Sequence, residues 1–185
     1  GDIEEFLVDN SSFTDSDLDV GVEYFYRVSA MYADIVSDPS EVISAMIVPV
    51  ATGLAYEVQN DESVTLNWDE DVNATNYKIQ RSRDPSFFGP SVEFTTTENS
   101  YNDDSLPTSI MYHYRITTYY GEYRSLASEN VSLLIVPAPV GITYTIEESS
   151  VTLSWDQIEI ATEYHIERAT DSLFATNLIE FESET

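Results

Sequence analysis

MYHYRITTYY, residues 111–120, sets Tyr112, Tyr114 and Ile116 on one face of an extended segment and His113 and Arg115 on the other. A close copy, EYFYRVSAMY, stands at 23–32. Tyr24-Phe25-Tyr26-Arg27-Val28 precedes Tyr112-His113-Tyr114-Arg115-Ile116 by 88 residues (24 to 112), and at the same offset Phe13, Asp15, Leu18 and Pro49 precede Tyr101, Asp103, Leu106 and Pro137. Downstream, Val64-Thr65-Leu66-Asn67-Trp68 returns as Val151-Thr152-Leu153-Ser154-Trp155, an offset of 87 (64 to 151). Tyr77, Ile79, Arg81 and Asp84 return as Tyr164, Ile166, Arg168 and Asp171, and Phe6, Phe94 and Phe181 are three copies of one position. One unit of about 88 residues therefore recurs.

The local pattern is strand throughout. VTLNW and NYKIQ alternate apolar and polar residues. Turn formers separate the runs: QNDES at 59–63, DPSFFGP at 84–90, NDDS at 102–105, and Pro137 and Pro139. No convincing amphipathic helix is present. Short strands at regular spacing predict an all-β antiparallel sandwich.

These residues resemble the fibronectin type III module, an immunoglobulin-like sandwich. VTLNW with Trp68 resembles strand B, and NYKIQRS with its D-P-S-F turn resembles strand C. Tyr101-x-Asp103-x-x-Leu106-Pro107 resembles strand E and its loop, Tyr112-x-Tyr114-Arg115-Ile116 strand F, and SENVSLLIVP strand G. The resemblance divides the chain into residues 50–136, a complete module; 1–49, with only C′, E, F and G; and 138–185, with only A, B, C and C′. It implies two facing sheets, A-B-E and C′-C-F-G. It also implies that Tyr112 is the tyrosine corner, its ring buried and its hydroxyl bonded to nearby backbone. Trp68, Tyr77, Ile79, Tyr114 and Ile116 are the expected core.

Charge is the compositional outlier. Asp and Glu total 34 against 7 Lys plus Arg, a net charge of −27, and Lys78 is the only lysine. Such a surface repels nucleic acid and anionic membranes. It fits a strongly solvated surface, adaptation to high salt, or loose Ca²⁺ binding, in that order. The 42% hydrophobic content suits a packed core, and the absence of cysteine excludes disulfides and thiolate metal sites. No apolar run is long enough to span a membrane. GDIEEFLVD lacks the pattern of a signal peptide.

The sequence holds no nucleotide-binding, hydrolase or zinc-protease motif. His113 and His165 fall in different units, opposite Phe25 and Lys78, so the repeat preserves no catalytic histidine; both read as solvent-facing strand residues. Neither an enzyme nor a tightly bound cofactor is expected. Weak Ca²⁺ candidates are Asp15, Asp17 and Asp19 in TDSDLDVG, and Asp69 and Asp71 beside Glu70 and Asn73. TDSDLDVG is a poor calcium loop, with its glycine displaced to Gly21. Asp15 reads better as the strand E turn aspartate bonding local backbone. Arg27, Arg81, Arg115 and Arg168 occupy repeated positions and are expected to meet carboxylates or tyrosine rings. Phe25, His113 and Tyr119 or Tyr120 are candidate contact residues. Asn10, Asn73 and Asn130 head glycosylation sequons.

The expected function is a structural segment of an extracellular fibre or cell-surface protein. The alternative is an adhesive or accessory module that binds protein or carbohydrate through loops or the C′-C-F-G face. The odd cut of the repeat has two explanations. Either the missing strands lie in adjoining repeats of a longer chain, or the C-terminal half of one copy completes the N-terminal half of the next, building a filament. Pairing within one chain is disfavoured, since the halves leave the central module at opposite poles, about 30 Å apart.

Overall fold

The computed structural model describes residues 3–60, 62–104, 106–176 and 178–184, and within them the secondary structure is all strand and turn. The first partial unit holds β1 (Glu23–Tyr26), β2 (Met31–Tyr32), β3 (Ile35–Val36) and β4 (Ile43–Met46). The central unit holds β5 (Ala55–Asn60), β6 (Ser63–Asn67), β7 (Asn76–Ser82), β8 (Ser91–Thr96), β9 (Ser100–Asp103), β10 (Met111–Tyr120), β11 (Tyr123–Arg124) and β12 (Val131–Leu134). The last unit holds β13 (Thr143–Glu147), β14 (Ser150–Ser154), β15 (Glu163–Arg168) and β16 (Ile179–Glu184).

In the central unit the strands β5-β6-β9 form one sheet, and β8-β7-β10 with β11 and β12 on the β10 edge form the other. These are the A-B-E and C′-C-F-G sheets of a fibronectin type III module. Alternation decides what lies between them. Val64, Leu66 and Trp68 from β6 and its end meet Tyr77 and Ile79 from β7 and Tyr112, Tyr114 and Ile116 from β10. All eight are 0–4% exposed, as the strand periodicity predicts. Trp68 and Tyr77 meet edge to face at 5.3 Å. Gly53 opens the first strand at φ +69°, where a Cβ would stand 2.5 Å from the Asp69 carboxylate. The last unit repeats this with Gly141 at φ +66° under Asp156.

Strand G is broken in two, and serines bridge the break. The Ser125 and Ser128 hydroxyls accept the N–H groups of Thr118 and Ile116, both at 3.0 Å, in place of backbone carbonyls. In the first unit Ser37 and Ser40 do the same for Ala30 and Val28, at 3.0 and 3.1 Å. The repeated Ser-x-x-Ser is a positional signal absent from the strand pattern, since its job is to satisfy the ladder where the strand leaves it.

The partial units copy the local geometry of the central one. β1 pairs with β4 in the register of β10 and β12, with Tyr24 opposite Ala45 as Tyr112 is opposite Leu133. β13–β14 and β15–β16 form the hairpins A–B and C–C′. Trp155 meets Tyr164 edge to face at 5.1 Å, as Trp68 meets Tyr77. Burial is what they lack. Val151 is 59% exposed and Leu153 40%, while their equivalents Val64 and Leu66 are fully buried. Val28 is 73% exposed against none for Ile116. Residues 3–19, which match C′ and E, carry no strand. In the central unit C′ pairs with C, and E pairs with B. Among the described residues no strand equivalent to B or C stands beside these segments for them to ladder onto.

Candidate functional site

The central unit's most organised polar group lies at the rim of its core. β7 sets Arg81 inward two residues beyond Ile79, and β9 ends on Asp103, which is 3% exposed. Arg81 Nη1 donates to both carboxylate oxygens of Asp103, at 2.7 and 2.8 Å. The Tyr114 hydroxyl donates to Asp103 Oδ2 at 2.8 Å. The guanidinium also lies over the rings of Phe94, at 5.4 Å, and Tyr112, at 5.5 Å. β9 belongs to one sheet and β7 and β10 to the other, so the ion pair ties the sheets together. Burial works against the Arg81 charge, but Asp103 outweighs it and the guanidinium pKa is raised. Burial first, and then the bond to Asp103, drive the Tyr114 pKa well above that of a free phenol.

This group is structural, and it corrects one expectation. Asp103 and its copy Asp15 bond side chains rather than local backbone: the Tyr26 hydroxyl donates to Asp15 Oδ2 at 3.0 Å. The tyrosine corner needs a correction too. The Tyr112 ring is buried, but the backbone bond expected of it is seen in the first unit, where Asp19 N–H donates to the Tyr24 hydroxyl at 3.1 Å. Pro107 stands where Asp19 does, and proline has no N–H to donate.

The weak Ca²⁺ candidates do not converge. No three His, Asp or Glu side chains among the described residues stand close enough to hold a metal ion. Asp69 accepts from the Thr52 hydroxyl at 2.7 Å. Asp71 accepts from the Tyr120 hydroxyl at 2.7 and 2.9 Å and from Asn73 N–H at 3.1 Å. Burial, then the bond to Asp71, push the Tyr120 hydroxyl up to about 12. Asp69, Glu70, Asp71 and Tyr120 line an open depression of about 360 Å³ beside Val20 and Pro49, where the first unit meets the central one. Asp17 is held at φ +60° and takes a bond from Ser16 Oγ at 3.3 Å.

His113 is not solvent-facing. It is 8% exposed, and its Nδ1 lies 2.7 Å from Ser132 Oγ. It sits opposite Ser82 on one side and Ser132 on the other, two small residues that let the ring nest within the outer face. His165 is exposed, as expected, with Nε2 3.8 Å from Glu180. Phe25 is 66% exposed, whereas Tyr119 and Tyr120 are half-buried. Arg81 meets a carboxylate and a tyrosine ring, as expected of the repeated arginines, but Arg115 lies over the Phe87 ring at 4.1 Å and Arg168 over Phe181 at 5.5 Å, phenylalanines where tyrosines are expected. Asn10, Asn73 and Asn130 are all exposed, and Asn130 Nδ2 donates to Pro85 O at 3.2 Å.

The turn after strand C is built on an aspartate in both copies. The Thr176 hydroxyl and the N–H groups of Thr176, Ala175 and Leu173 all donate to Asp171, at 2.6–3.1 Å. These bonds, the Thr176 hydroxyl foremost, lower the Asp171 pKa to about 2 from an ordinary value of 3.8. Asp84 is lowered in the same way, chiefly by the hydroxyl and N–H of Ser86. A depressed carboxylate pKa stabilises the turn fully above the unfolded value, and the benefit disappears as pH falls from about 4 to about 2. The Thr176 amide, followed by NMR against pH, should therefore titrate with a midpoint near 2. A midpoint near 4 would contradict the geometry.

No protein-family model and no curated protein matches the chain. Among solved structures it is similar to a two-domain fibronectin type III segment of chicken tenascin, with 18% identity over 60% of this chain and 64% of that one and a TM-score of 0.45. It is also similar to an Fn3-like protein from Clostridium thermocellum, with 24% identity, 44% and 86% coverage and a TM-score of 0.39. Domains d3–d4 of the rat CD45 extracellular region match at 18% identity, 72% and 75% coverage and a TM-score of 0.43. The likeness is one of fold. The sheet order stands on its own geometry: the central unit is an immunoglobulin-like sandwich with the two sheets of a fibronectin type III module.

Proposed function

We propose that the chain is a non-enzymatic structural segment of an extracellular or cell-surface fibre, in which each partial module is completed by strands from outside it, those of adjoining repeats or of a second copy. The observation that carries this reading is the pair of open core faces. Residues 1–49 leave open the faces on which strands A, B and C would pack, and residues 138–185 those on which E, F and G would pack. No sheet joins the two parts within the chain among the described residues. Each part keeps the pairing register of the central module and leaves its would-be core exposed, an arrangement that apolar burial drives to completion. Completion by a second copy is a heterologous contact, and repeated without closure it makes a fibre. The net charge of −27 keeps such an assembly solvated and steers it away from nucleic acid.

The alternative of ligand recognition through the C′-C-F-G face has less support. A binding face of that kind calls for a contiguous exposed aromatic patch. The face is instead laced with polar contacts: Lys78 to Glu93 at 3.1 Å, Gln80 to Glu93 at 2.7 Å, and Arg115 Nε to Gln80 at 2.8 Å.

The test is light scattering on the full chain across a concentration series, beside a fragment of residues 50–136. The fragment contains the whole central core and serves as a monomeric control. Mass should rise with concentration for the full chain alone. A full chain that stays monomeric at millimolar concentration with both partial modules protected from protease would overturn the proposal.

A further inference from the structure

The first unit and the central one meet at a joint with its own chemistry. β10 and β11 form a hairpin in which Tyr120 stands opposite Tyr123. The Tyr123 hydroxyl donates to the Glu23 carboxylate and lies 2.6 Å from Ser44 Oγ. A phenol has one proton to give, so the carboxylate takes it and Ser44 donates to the phenol oxygen. Glu23 belongs to β1 and Ser44 to β4, and the pairing of Phe25 with Ser44 sets both residues on the outer face of the first unit. One side chain of the central unit therefore holds both strands of the first unit's hairpin.

Further contacts make the joint a fitted one. A Cβ at Gly21 would stand 3.5 Å from the Tyr120 ring, so the first unit's backbone passes within contact range of that ring. The Gly21 N–H donates to Ile47 O at 2.9 Å, which ties this turn to the start of the linker. Tyr120 is held in turn, its hydroxyl bonded to Asp71 of the B–C loop at 2.7 Å. In the linker, Val48 is 6% exposed, the one buried residue among the described residues of 1–49.

The fit is particular to this pair of units. At the repeat offset Met111 and Ser132 stand where Glu23 and Ser44 do. Methionine offers no carboxylate, and Ser132 Oγ lies 2.7 Å from His113 Nδ1. The repeat keeps the strand pairing but not these acceptors.

We infer that the β10–β11 hairpin is a clasp that fixes the angle between the first and central units, with Tyr123 as the latch and Glu23 and Ser44 as the catch. Neighbouring units of one chain move against each other by default. A linker alone leaves a pivot, and a second attachment on the outer face of β1 and β4 blocks rotation about it. The joint lies within one chain and does not depend on what completes the partial units.

Distance distributions between two spin labels test the clasp. The chain has no cysteine, so labels at Glu41→Cys and Thr95→Cys, exposed positions on either side of the joint, attach nowhere else. Diluting the labelled chain with unlabelled chain restricts the reading to distances within one molecule. With Tyr123 in place the distribution should be single and narrow. Tyr123→Phe keeps the ring and removes both bonds, and it should raise the population at other distances about tenfold, the scale of two hydrogen bonds of which one is to a carboxylate. Tyr123→Glu should broaden the distribution further, because it sets a second carboxylate against Glu23. Adding Glu23→Lys to Tyr123→Glu should narrow it again, since the two positions then attract. A broad distribution with Tyr123 in place would overturn the clasp. So would a distribution that Tyr123→Phe and Tyr123→Glu leave unchanged, or one that Glu23→Lys fails to narrow.

Discussion

Trp68→Ala should lower the stability of the central module by about 3 kcal/mol, whereas Trp155→Ala should change the unfolding of the unassembled chain by less than about 1 kcal/mol. The two tryptophans are copies of one position at the end of strand B, and each meets a tyrosine edge to face. What separates them is the second sheet. Trp68 is 3% exposed beneath β10, while Trp155 has no E, F or G strand above it and is half-exposed. Removing a buried aromatic ring costs the transfer energy and the cavity left behind. The lower end of the usual range applies, because the Trp68 indole N–H is buried without a hydrogen-bond partner and its loss relieves that penalty. In a module of this size the change corresponds to roughly 15 °C in Tm. Thermal melts of the two variants at low concentration check the contrast. Equal destabilisation would mean that Trp155 is already packed in the lone chain.

Asp103→Ala should destabilise the same module by about 3 kcal/mol, an effect as large as that of a core aromatic. The substitution leaves Arg81 charged at the core rim and the Tyr114 hydroxyl without its acceptor, and Tyr114 is fully buried. Truncating one member of a buried pair strands the other. The Arg81 side chain is 21% exposed, so water recovers part of the loss and the upper range of such effects is not expected. Arg81→Met should be milder, because it removes the charge that needs a partner and keeps the stem that packs against Phe94 and Tyr112. Urea denaturation of the two variants gives the ordering. If Arg81→Met proved the more damaging, the pair would owe more to the stacked guanidinium than to the carboxylate.

Much of the fold is legible because strands speak in a period of two. Alternation puts Val64, Leu66 and Trp68 on one face of their strand, as it does Tyr77 and Ile79, and Tyr112, Tyr114 and Ile116; the resemblance to the fibronectin type III module implies that these faces turn inward, and the repeat locates the pattern again in the flanking units. Alternation says which face a residue takes but not how crowded that face is. It puts His113 on the outer face, yet strand F is central in its sheet and the ring lies among neighbours on both sides. The Arg81–Asp103 pair escapes for a related reason. Both residues are visible as repeated positions, but their meeting depends on how two sheets stack, which no single strand records. The glycine under Asp69 and the serines of strand G are visible as letters. Their roles depend on backbone conformation at a strand start and a strand break, where periodicity stops.

The same limit explains why the partial units can be recognised without their fate being readable. Hairpins A–B, C–C′ and F–G form from nearby sequence, so each part carries them. Burial needs distant strands, and neither part holds its own. The decisive measurement follows from the fact that the protein has two tryptophans. Trp68→Phe removes the buried reporter with little cost, since phenylalanine has no N–H to bury, and leaves Trp155 alone to report on the open face of residues 138–185. With rising concentration its emission should shift to the blue and lose access to an aqueous quencher, in step with the rise in mass. Emission that stays red and fully quenchable from micromolar to millimolar concentration would contradict completion of one copy by the next.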